Sequence, residues 1–258
     1  MPTLARIQIF PVKSLDPQLV ETAEVLPCGA LRHDRQWALF DAAGRVVNAK
    51  MTPRIQLLRS ECDPEARTLT LRPQGECQPV TFHLDQQRDA LEAWLVVWFG
   101  HPVFVREDSA GGFPDDMEAP GPTVISTETL QTVASWFAPL TELEIRRRFR
   151  ANLEISADEP FWEDHLFADE GELVRFRIGS VEFGGTNPCQ RCPVPTRDSH
   201  TGEPTPKFHR DFIEARIRTL PDWANRSRFD HFYRLAVNTR LISRAEGVLR
   251  VGDVLEIV

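Results

Sequence analysis

Hydrophobic and polar residues alternate with a period of two along several stretches of the first hundred positions. Such alternation is typical of β-strands with one buried face. Turn residues such as Gly44 and Pro64 separate the runs. The strands predicted in this way cover residues 5–9, 36–40, 45–48, 80–84 and both flanks of 63–65. The strands at 36–40 and 45–48 are expected to form a hairpin.

Helical spacing of hydrophobic residues occurs at three later places in the chain. Asp85 and Ser126 are of the residue type that caps a helix N-terminus, so a helix is expected to begin at each. A third helix is expected to end before Pro221. The hydrophobic positions that define these helices are Leu91, Leu95 and Trp98, then Leu130, Val133, Ala134 and Phe137, and finally Phe208, Phe212, Ala215 and Leu220.

The second half also contains strand patterns. Residues 145–150 are predicted to form a strand with Arg146, Arg148 and Arg150 on one face. Further strands are predicted at 173–178, 181–183, 233–238 and 248–258. The turn-rich segment that starts at residue 109 sets the predicted boundary between a domain of residues 1–108 and one of residues 109–258. The predicted fold class is therefore mostly β, of the α+β type.

Composition and charge are those of an ordinary globular protein. Of 258 residues, 41% are hydrophobic and 26% are charged, which is enough for a sizeable core. The net charge of -8 argues against a general binder of nucleic acid or of anionic membranes. Five cysteines, an odd number, favour a reducing compartment. With no signal-peptide pattern and no apolar run of spanning length, a cytoplasmic location is expected.

The most reactive chemistry of the sequence lies between Asn187 and Thr196. Cys189 and Cys192 stand there in a Cys-x-x-Cys arrangement with Arg191 between them. Three interpretations are open, namely half of a zinc site, a dithiol redox pair, or two small buried hydrophobic residues. The later histidines match no recurrent zinc spacing. Two prolines after the second cysteine disfavour a thioredoxin-like helix and predict a stiff loop instead.

The cysteine segment and the Asp-x-x-Thr-Gly turn that follows it resemble the loop of the MOSC family, named for the C-terminal domain of molybdenum cofactor sulfurases. Other parts of the chain are similar to the family in the same order. They are Pro11-Val12-Lys13-Ser14-Leu15, Asp34-Arg35-Gln36-Trp37, Arg148-Phe149-Arg150-Ala151-Asn152-Leu153, Pro160-Phe161-Trp162-Glu163-Asp164 and Val251-Gly252-Asp253. The resemblance covers nearly the whole chain. It implies a MOSC-type β-barrel with flanking helices, preceded by an N-terminal β-barrel-like domain.

The resemblance also implies that the chain binds the molybdenum cofactor, in which a pyranopterin (molybdopterin) carries the metal. Cys192, the second cysteine, would be both the metal ligand and the catalytic residue. Gln190 and Arg191 would lie beside it and contact the cofactor, while Cys189 is expected to be a buried structural thiol. The positions that match the family's other cofactor contacts are Lys13, Ser14, Arg35, Ser126, Arg150 and Asn152.

The activity implied is that of an oxidoreductase that reduces N-hydroxylated small molecules. Glu163 or Asp164 would either supply a proton or cap backbone donors. No cysteine cluster is left for an iron–sulfur centre, so electrons would come from a separate protein, a ferredoxin or a flavoprotein reductase. Two alternatives stay open. One is a non-catalytic molybdopterin or sulfur carrier that uses Cys192, and the other is a zinc-stapled or ligand-free β-barrel.

Overall fold

The structure, a computed structural model, describes residues 1–242 and 247–258. Its strands are β1 (Thr3–Ile9), β2 (Gln18–Val20), β3 (Thr22–Val25), β4 (Trp37–Asp41), β5 (Leu58–Asp63), β6 (Thr68–Pro73), β7 (Val80–His83), β8 (Val103–Glu107), β9 (Val124–Ser126), β10 (Leu153–Ser156), β11 (Val174–Ile178), β12 (Val181–Gln190), β13 (Arg234–Leu241), β14 (Gly247–Arg250) and β15 (Leu255–Ile257). Its helices are α1 (Arg88–Phe99), α2 (Thr127–Trp136), α3 (Glu142–Phe149) and α4 (Phe208–Thr219). This content confirms the predicted β-rich α+β class.

The largest sheet joins the start of the chain to its second half. Its eight strands follow the order β15-β11-β12-β13-β9-β10-β1-β2. β1 runs antiparallel to β10, from Thr3 opposite Ser156 to Ile7 opposite Leu153. In a separate two-stranded sheet, β3 pairs with β14 near the end of the chain. The earliest strands are thus held by partners that come very late in the sequence.

The rest of the first half forms its own hydrophobic core. Two small sheets, β4-β8 and β5-β6-β7, pack with α1 around Trp37 and Leu71. Leu91 and Leu95, one helical turn apart, bury the predicted face of α1. Val194, from the segment after the cysteines, packs against this core. The first half therefore supports one side of the cysteine segment.

The predicted strand at residues 145–150 is wrong, because these residues belong to helix α3 and its C-terminus. Thr141 caps the helix by accepting a hydrogen bond from the Glu144 backbone N–H. Glu142 and Glu144 then pair with Arg146 and Arg148 one turn later. This order of charges, acidic at the start and basic at the end, also complements the helix dipole.

Two other local predictions need correction. Asp85 does not cap α1, which begins at Arg88, because the Asp85 carboxylate binds the guanidinium of Arg67. Residues 45–48 do not form a regular strand, but the predicted hairpin is present in short form: Phe40 and Val46 make an antiparallel bridge, and the Val47 N–H donates to the Leu39 carbonyl (2.7 Å). The remaining predicted helices, the strands around residue 64 and the strands at 173–178 and 181–183 are confirmed.

The turn-rich segment after residue 108 lies between β8 and β9. The domain boundary placed there stays a prediction. In the ranges that the structure describes, no helix combines the length and the apolar character needed to cross a bilayer.

Candidate functional site

A cavity of about 1000 Å³ is lined by residues from both halves of the chain. Its wall contains the Lys13-Ser14 turn, Arg35, the end of α3 and both cysteines of the Cys-x-x-Cys segment. Among the described residues that line it are twelve arginines and lysines but only four acidic side chains. The cations are Arg6, Lys13, Arg35, Lys50, Arg59, Arg72, Arg146, Arg147, Arg148, Arg150, Arg191 and Arg234. A chain of net charge -8 has thus gathered positive charge around one space, which suits an anionic ligand.

Backbone hydrogen bonds bring Lys13 and Arg35 to the same wall. The Lys13 N–H donates to the Trp37 carbonyl (2.7 Å) and the Arg35 N–H donates to the Phe10 carbonyl (2.8 Å). Arg35 takes up a left-handed conformation with φ of 54°. Asp34, the residue before it, binds its guanidinium. Two segments separated in sequence thereby present their cations side by side.

A carboxylate from the turn-rich segment, Asp115, lies between these cations. The Lys13 ammonium is 2.9 Å from one Asp115 oxygen, and the Arg35 guanidinium is 4.0 Å from the other. Burial would raise the pKa of Asp115, but Arg35 and Lys13 outweigh it and lower the pKa to about 2. Burial lowers the pKa of Lys13. Asp115 is therefore a firmly ionised carboxylate.

Arg150 is the cation of this group without a carboxylate partner within 4 Å among the described residues. It follows α3 in a left-handed conformation, with φ of 53°. Its guanidinium donates to the Leu15 carbonyl (2.7 Å) and lies 4.1 Å from the centre of the Phe10 ring. Burial, followed by repulsion from Arg35, lowers the pKa of Arg150 to about 10. A half-buried guanidinium without a carboxylate partner suits an added anion.

β13 carries an irregularity opposite Cys189, the first of the two cysteines that line the cavity. Pro188 pairs with Val237 and Gln190 with Arg234, so β13 holds one extra residue opposite Cys189. Within this bulge Ala236 has φ of 66°, a left-handed conformation that costs an alanine about 1–2 kcal/mol. Backbone strain of that kind occurs often at functional sites.

Cys189 differs from its prediction as a buried structural thiol. Both Cys189 and Cys192 are half-buried, free and part of the cavity wall. The Arg191 guanidinium donates to the Cys189 sulfur at 3.2 Å and to the Phe149 carbonyl. Arg191 therefore ties the cysteine segment to the end of α3.

The turn after the cysteines is also anchored to α3. Arg148 donates to the Thr205 hydroxyl at 2.9 Å, and its partner Glu144 accepts from the backbone N–H and the hydroxyl of Ser199. Asn152, just beyond α3, donates to the Gln8 carbonyl at 3.1 Å. Helix α3 and the residues that follow it thus align the cations with the thiols.

Eight of the nine predicted site residues line this cavity. They are Lys13, Ser14, Arg35, Arg150, Asn152, Gln190, Arg191 and Cys192. Ser126 does not, because it is fully buried and caps α2. Its backbone N–H donates to the Glu163 carboxylate (3.2 Å). Sequence reasoning named no role for Asp115 as a partner of the cations, and only its acidic, turn-rich surroundings hinted at one.

Glu163 and Asp164 do not line the cavity: Glu163 caps the start of α2, and Asp164 forms an ion pair. Glu163 accepts from Ser126 and from the Thr129 hydroxyl (3.0 Å), and Asp164 binds buried Arg216. Burial, with repulsion from Asp164, raises the pKa of Glu163 to about 7. Of the two roles predicted for Glu163, the structure supports capping.

A Glu163→Gln variant is expected to show a weaker dependence of stability on pH. The pKa of Glu163 is about 7 in the fold against 4.5 in the unfolded chain, so this group favours the fold below about pH 4.5 and loses that contribution as pH rises to about 7. The loss should reach about 2 kcal/mol once relaxation of the site is allowed for. Urea unfolding at several pH values between 4 and 8 measures it.

The matched control is Glu159→Gln, which changes an exposed carboxylate near the same turn. The control should keep the wild-type pH profile. An identical profile in all three proteins would contradict the role assigned to Glu163.

Together, fold and cavity define a β-rich protein that presents two thiols to a cavity rich in cationic side chains. Family models match both parts of the chain. The family model for the MOSC N-terminal beta barrel domain matches residues 1–115, and that for the MOSC domain matches residues 123–256. The chain belongs to the MOSC family.

Curated relatives connect the chain with the molybdenum cofactor. Molybdenum cofactor sulfurase of Homo sapiens is 22% identical over 261 residues, which cover 83% of this chain and 28% of that protein. The Danio rerio sulfurase is 26% identical, over 83% of this chain and 30% of that protein. Mitochondrial amidoxime-reducing component 1 of Homo sapiens is 27% identical over 236 residues, 78% of this chain and 67% of that protein. The chain thus spans less than a third of the length of these two sulfurases.

Among solved structures, the YuaD protein of Bacillus subtilis aligns with 99% of this chain and 94% of its own, at 11% identity and a TM-score of 0.42.

The residues present fit the molybdenum cofactor. A volume of about 1000 Å³ is at the upper end of the range for ligand pockets. Arg150 offers an uncompensated guanidinium for a phosphate, and Cys192 offers a soft ligand suited to a polarisable metal. The described residues contain no group of three or more His, Cys, Asp or Glu side chains placed to hold a metal ion by themselves.

Proposed function

We propose that the protein binds the molybdenum cofactor and reduces N-hydroxylated small molecules. The observation that supports this most directly is the half-buried Arg150 guanidinium, without a carboxylate partner within 4 Å in the described residues, in the same cavity as Cys192. A phosphate-bearing ligand would compensate that charge. Mitochondrial amidoxime-reducing component 1 aligns over 78% of this chain and 67% of its own length, and its name supports the choice of substrate.

Each group of residues would have a distinct part in this activity. Lys13, Arg35 and Arg150 would bind the phosphate of the cofactor, and Asn152 would keep Arg35 in position through its side-chain oxygen, 3.5 Å from the guanidinium. Cys192 would be the metal ligand, and Gln190 and Ser14 would bind polar atoms of the pterin. When bound, the cofactor would supply the two-electron redox chemistry.

The substrate would enter at the open side of the cavity. Exposed Leu143 and Met117 stand in the cavity wall, so an apolar part of a substrate could rest there. Reduction of an amidoxime to an amidine consumes two electrons and two protons and releases water. The electrons would come from a separate ferredoxin or flavoprotein reductase, in a cytoplasmic setting without nucleic acid or membrane as partner.

Elemental analysis of protein expressed in the cytoplasm of a cofactor-producing bacterium tests the proposal. We expect about one molybdenum per chain, and conversion of an aromatic amidoxime to its amidine with reduced methyl viologen as electron source. Zinc in place of molybdenum would contradict the proposal. Labile sulfur without metal would favour the carrier alternative, which rests on the sulfurase relatives, and bound cofactor without turnover would also favour a carrier.

A further inference from the structure

The segment of residues 111–116, here called the strap, runs along the wall that carries Lys13 and Arg35. The Lys13 ammonium donates to two strap carbonyls, those of Phe113 (2.7 Å) and Pro114 (3.1 Å). The Phe113 N–H donates to the Arg35 carbonyl at 2.9 Å. The strap therefore touches both cations through its backbone before any charge of its own is considered.

A glycine allows the strap to approach so closely. Gly112 has φ of 67°, and a Cβ atom there would lie 2.7 Å from the Asp34 carbonyl oxygen and 2.9 Å from that of Arg35. Both atoms belong to the backbone and cannot move aside easily. The close approach is what lets the next acidic side chain, Asp115, reach the two cations.

The charges of this wall nearly cancel when Asp115 is in place. Lys13, Arg35 and Arg150 supply three positive charges, and Asp34 and Asp115 supply two negative charges. Asp34 lies beside Arg35 in sequence and also accepts from the Phe10 N–H, so it is a fixed part of the wall. Asp115 is different because its side chain is 66% exposed.

We propose that Asp115 is an internal counter-anion that occupies the cations meant for the ligand's phosphate, and that an incoming dianion displaces it. Asp115 thereby determines ligand specificity. A weakly charged anion gains too little from Lys13 and Arg35 to replace a carboxylate already there, whereas a phosphate dianion that also binds Arg150 gains enough. The inference extends the proposed function, because it names the residue with which the cofactor's phosphate competes.

The test is the affinity for inorganic phosphate, measured by isothermal titration calorimetry at pH 8 on protein made in a strain that lacks the cofactor. Asp115→Asn keeps the shape of the side chain but removes the competing charge, so phosphate should bind about fivefold more tightly than to wild type, the value of one partly exposed ion pair. In a Lys13→Gln background the same change should gain less than about twofold, because the shared cation is absent.

The strap supplies a matched control. Asp116 is the next residue, but its carboxylate accepts hydrogen bonds from the Asn238 side chain and from the backbone N–H groups of Glu118 and Ala119 rather than from a cation. Asp116→Asn should change phosphate affinity by less than about twofold. Equal gains from the two variants would mean a general charge effect and would overturn the proposal. So would a wild-type affinity in Asp115→Asn.

The outcome does not depend on the proposed function, since phosphate binding is measured without metal. An Arg150→Gln variant that binds phosphate as tightly as wild type would place the anion elsewhere and would also overturn the inference. If the phosphate results hold while purified protein contains no molybdenum, the counter-anion stands and the cofactor assignment fails.

Discussion

A Cys192→Ser variant is expected to contain almost no molybdenum and to lose reductase activity by about 1000-fold. Substitution of residues that merely support a metal ligand typically costs about 10–100-fold in metal affinity or activity, and removal of the only protein ligand should exceed that. A serine hydroxyl is a poor substitute because the soft thiolate is what a polarisable metal prefers. Metal content by mass spectrometry and amidoxime reduction measure the two effects.

Two other cysteines serve as controls. Cys77 is exposed in the first half of the chain, so Cys77→Ser should match wild type in both measurements. Cys189→Ser removes the sulfur to which Arg191 donates but leaves Cys192, and should retain molybdenum. If Cys189→Ser lost the metal and Cys192→Ser retained it, the two cysteines would have to exchange roles.

An Arg150→Gln variant is expected to bind the cofactor about 100-fold more weakly and yet to be more stable when the cofactor is absent. Loss of one partner of a buried charge pair costs about 3 kcal/mol, which corresponds to about 100-fold. The stability effect has the opposite sign. Burial lowers the pKa of Arg150 to about 10 in the fold, below its value in the unfolded chain, so its charged form destabilises the cofactor-free protein at every pH below about 10.

Cofactor retention on dialysis and the thermal midpoint of cofactor-free protein check the two halves of this prediction. Arg150→Lys keeps a charge but not the guanidinium fork, and should retain the cofactor to an intermediate degree. Arg210→Gln changes an exposed arginine of α4 and should alter neither quantity. A fall in the thermal midpoint of Arg150→Gln would contradict the conclusion that the unpaired charge of Arg150 destabilises the cofactor-free protein.

Much of the site could be predicted from short motifs, because the residues that face the cavity from turns keep their motif neighbours. Lys13, Arg35, Arg150 and Cys192 all belong to such motifs, and all line the cavity. Ser126 shows the limit of that approach. Its residue type correctly predicted a helix cap, but nothing local to it announced that a carboxylate from residue 163 would fill the helix N-terminus.

The errors have physical causes that lie outside the local pattern. A strand over the basic run of residues 145–150 would place Arg146, Arg148 and Arg150 on one face, yet glutamates one helical turn earlier pair with Arg146 and Arg148 in a helix. Asp115 meets Lys13 across a separation of about a hundred residues, which no turn pattern encodes. Cys189 faces the cavity owing to a bulge at Ala236, where an alanine rather than a glycine adopts the left-handed conformation.

The pairing of β1 with β10 and of β3 with β14 also determines when the site can come into being. On the ribosome, the first strands emerge long before their partners are synthesised, and the cations beside them remain without the opposite wall. The last residues of the cavity wall, Arg234 and Asn238, belong to β13, so the wall is complete only once that strand has left the exit tunnel. Any ligand of this cavity is therefore acquired after β13 has been made, and chaperones would meet the newborn N-terminal strands unpaired.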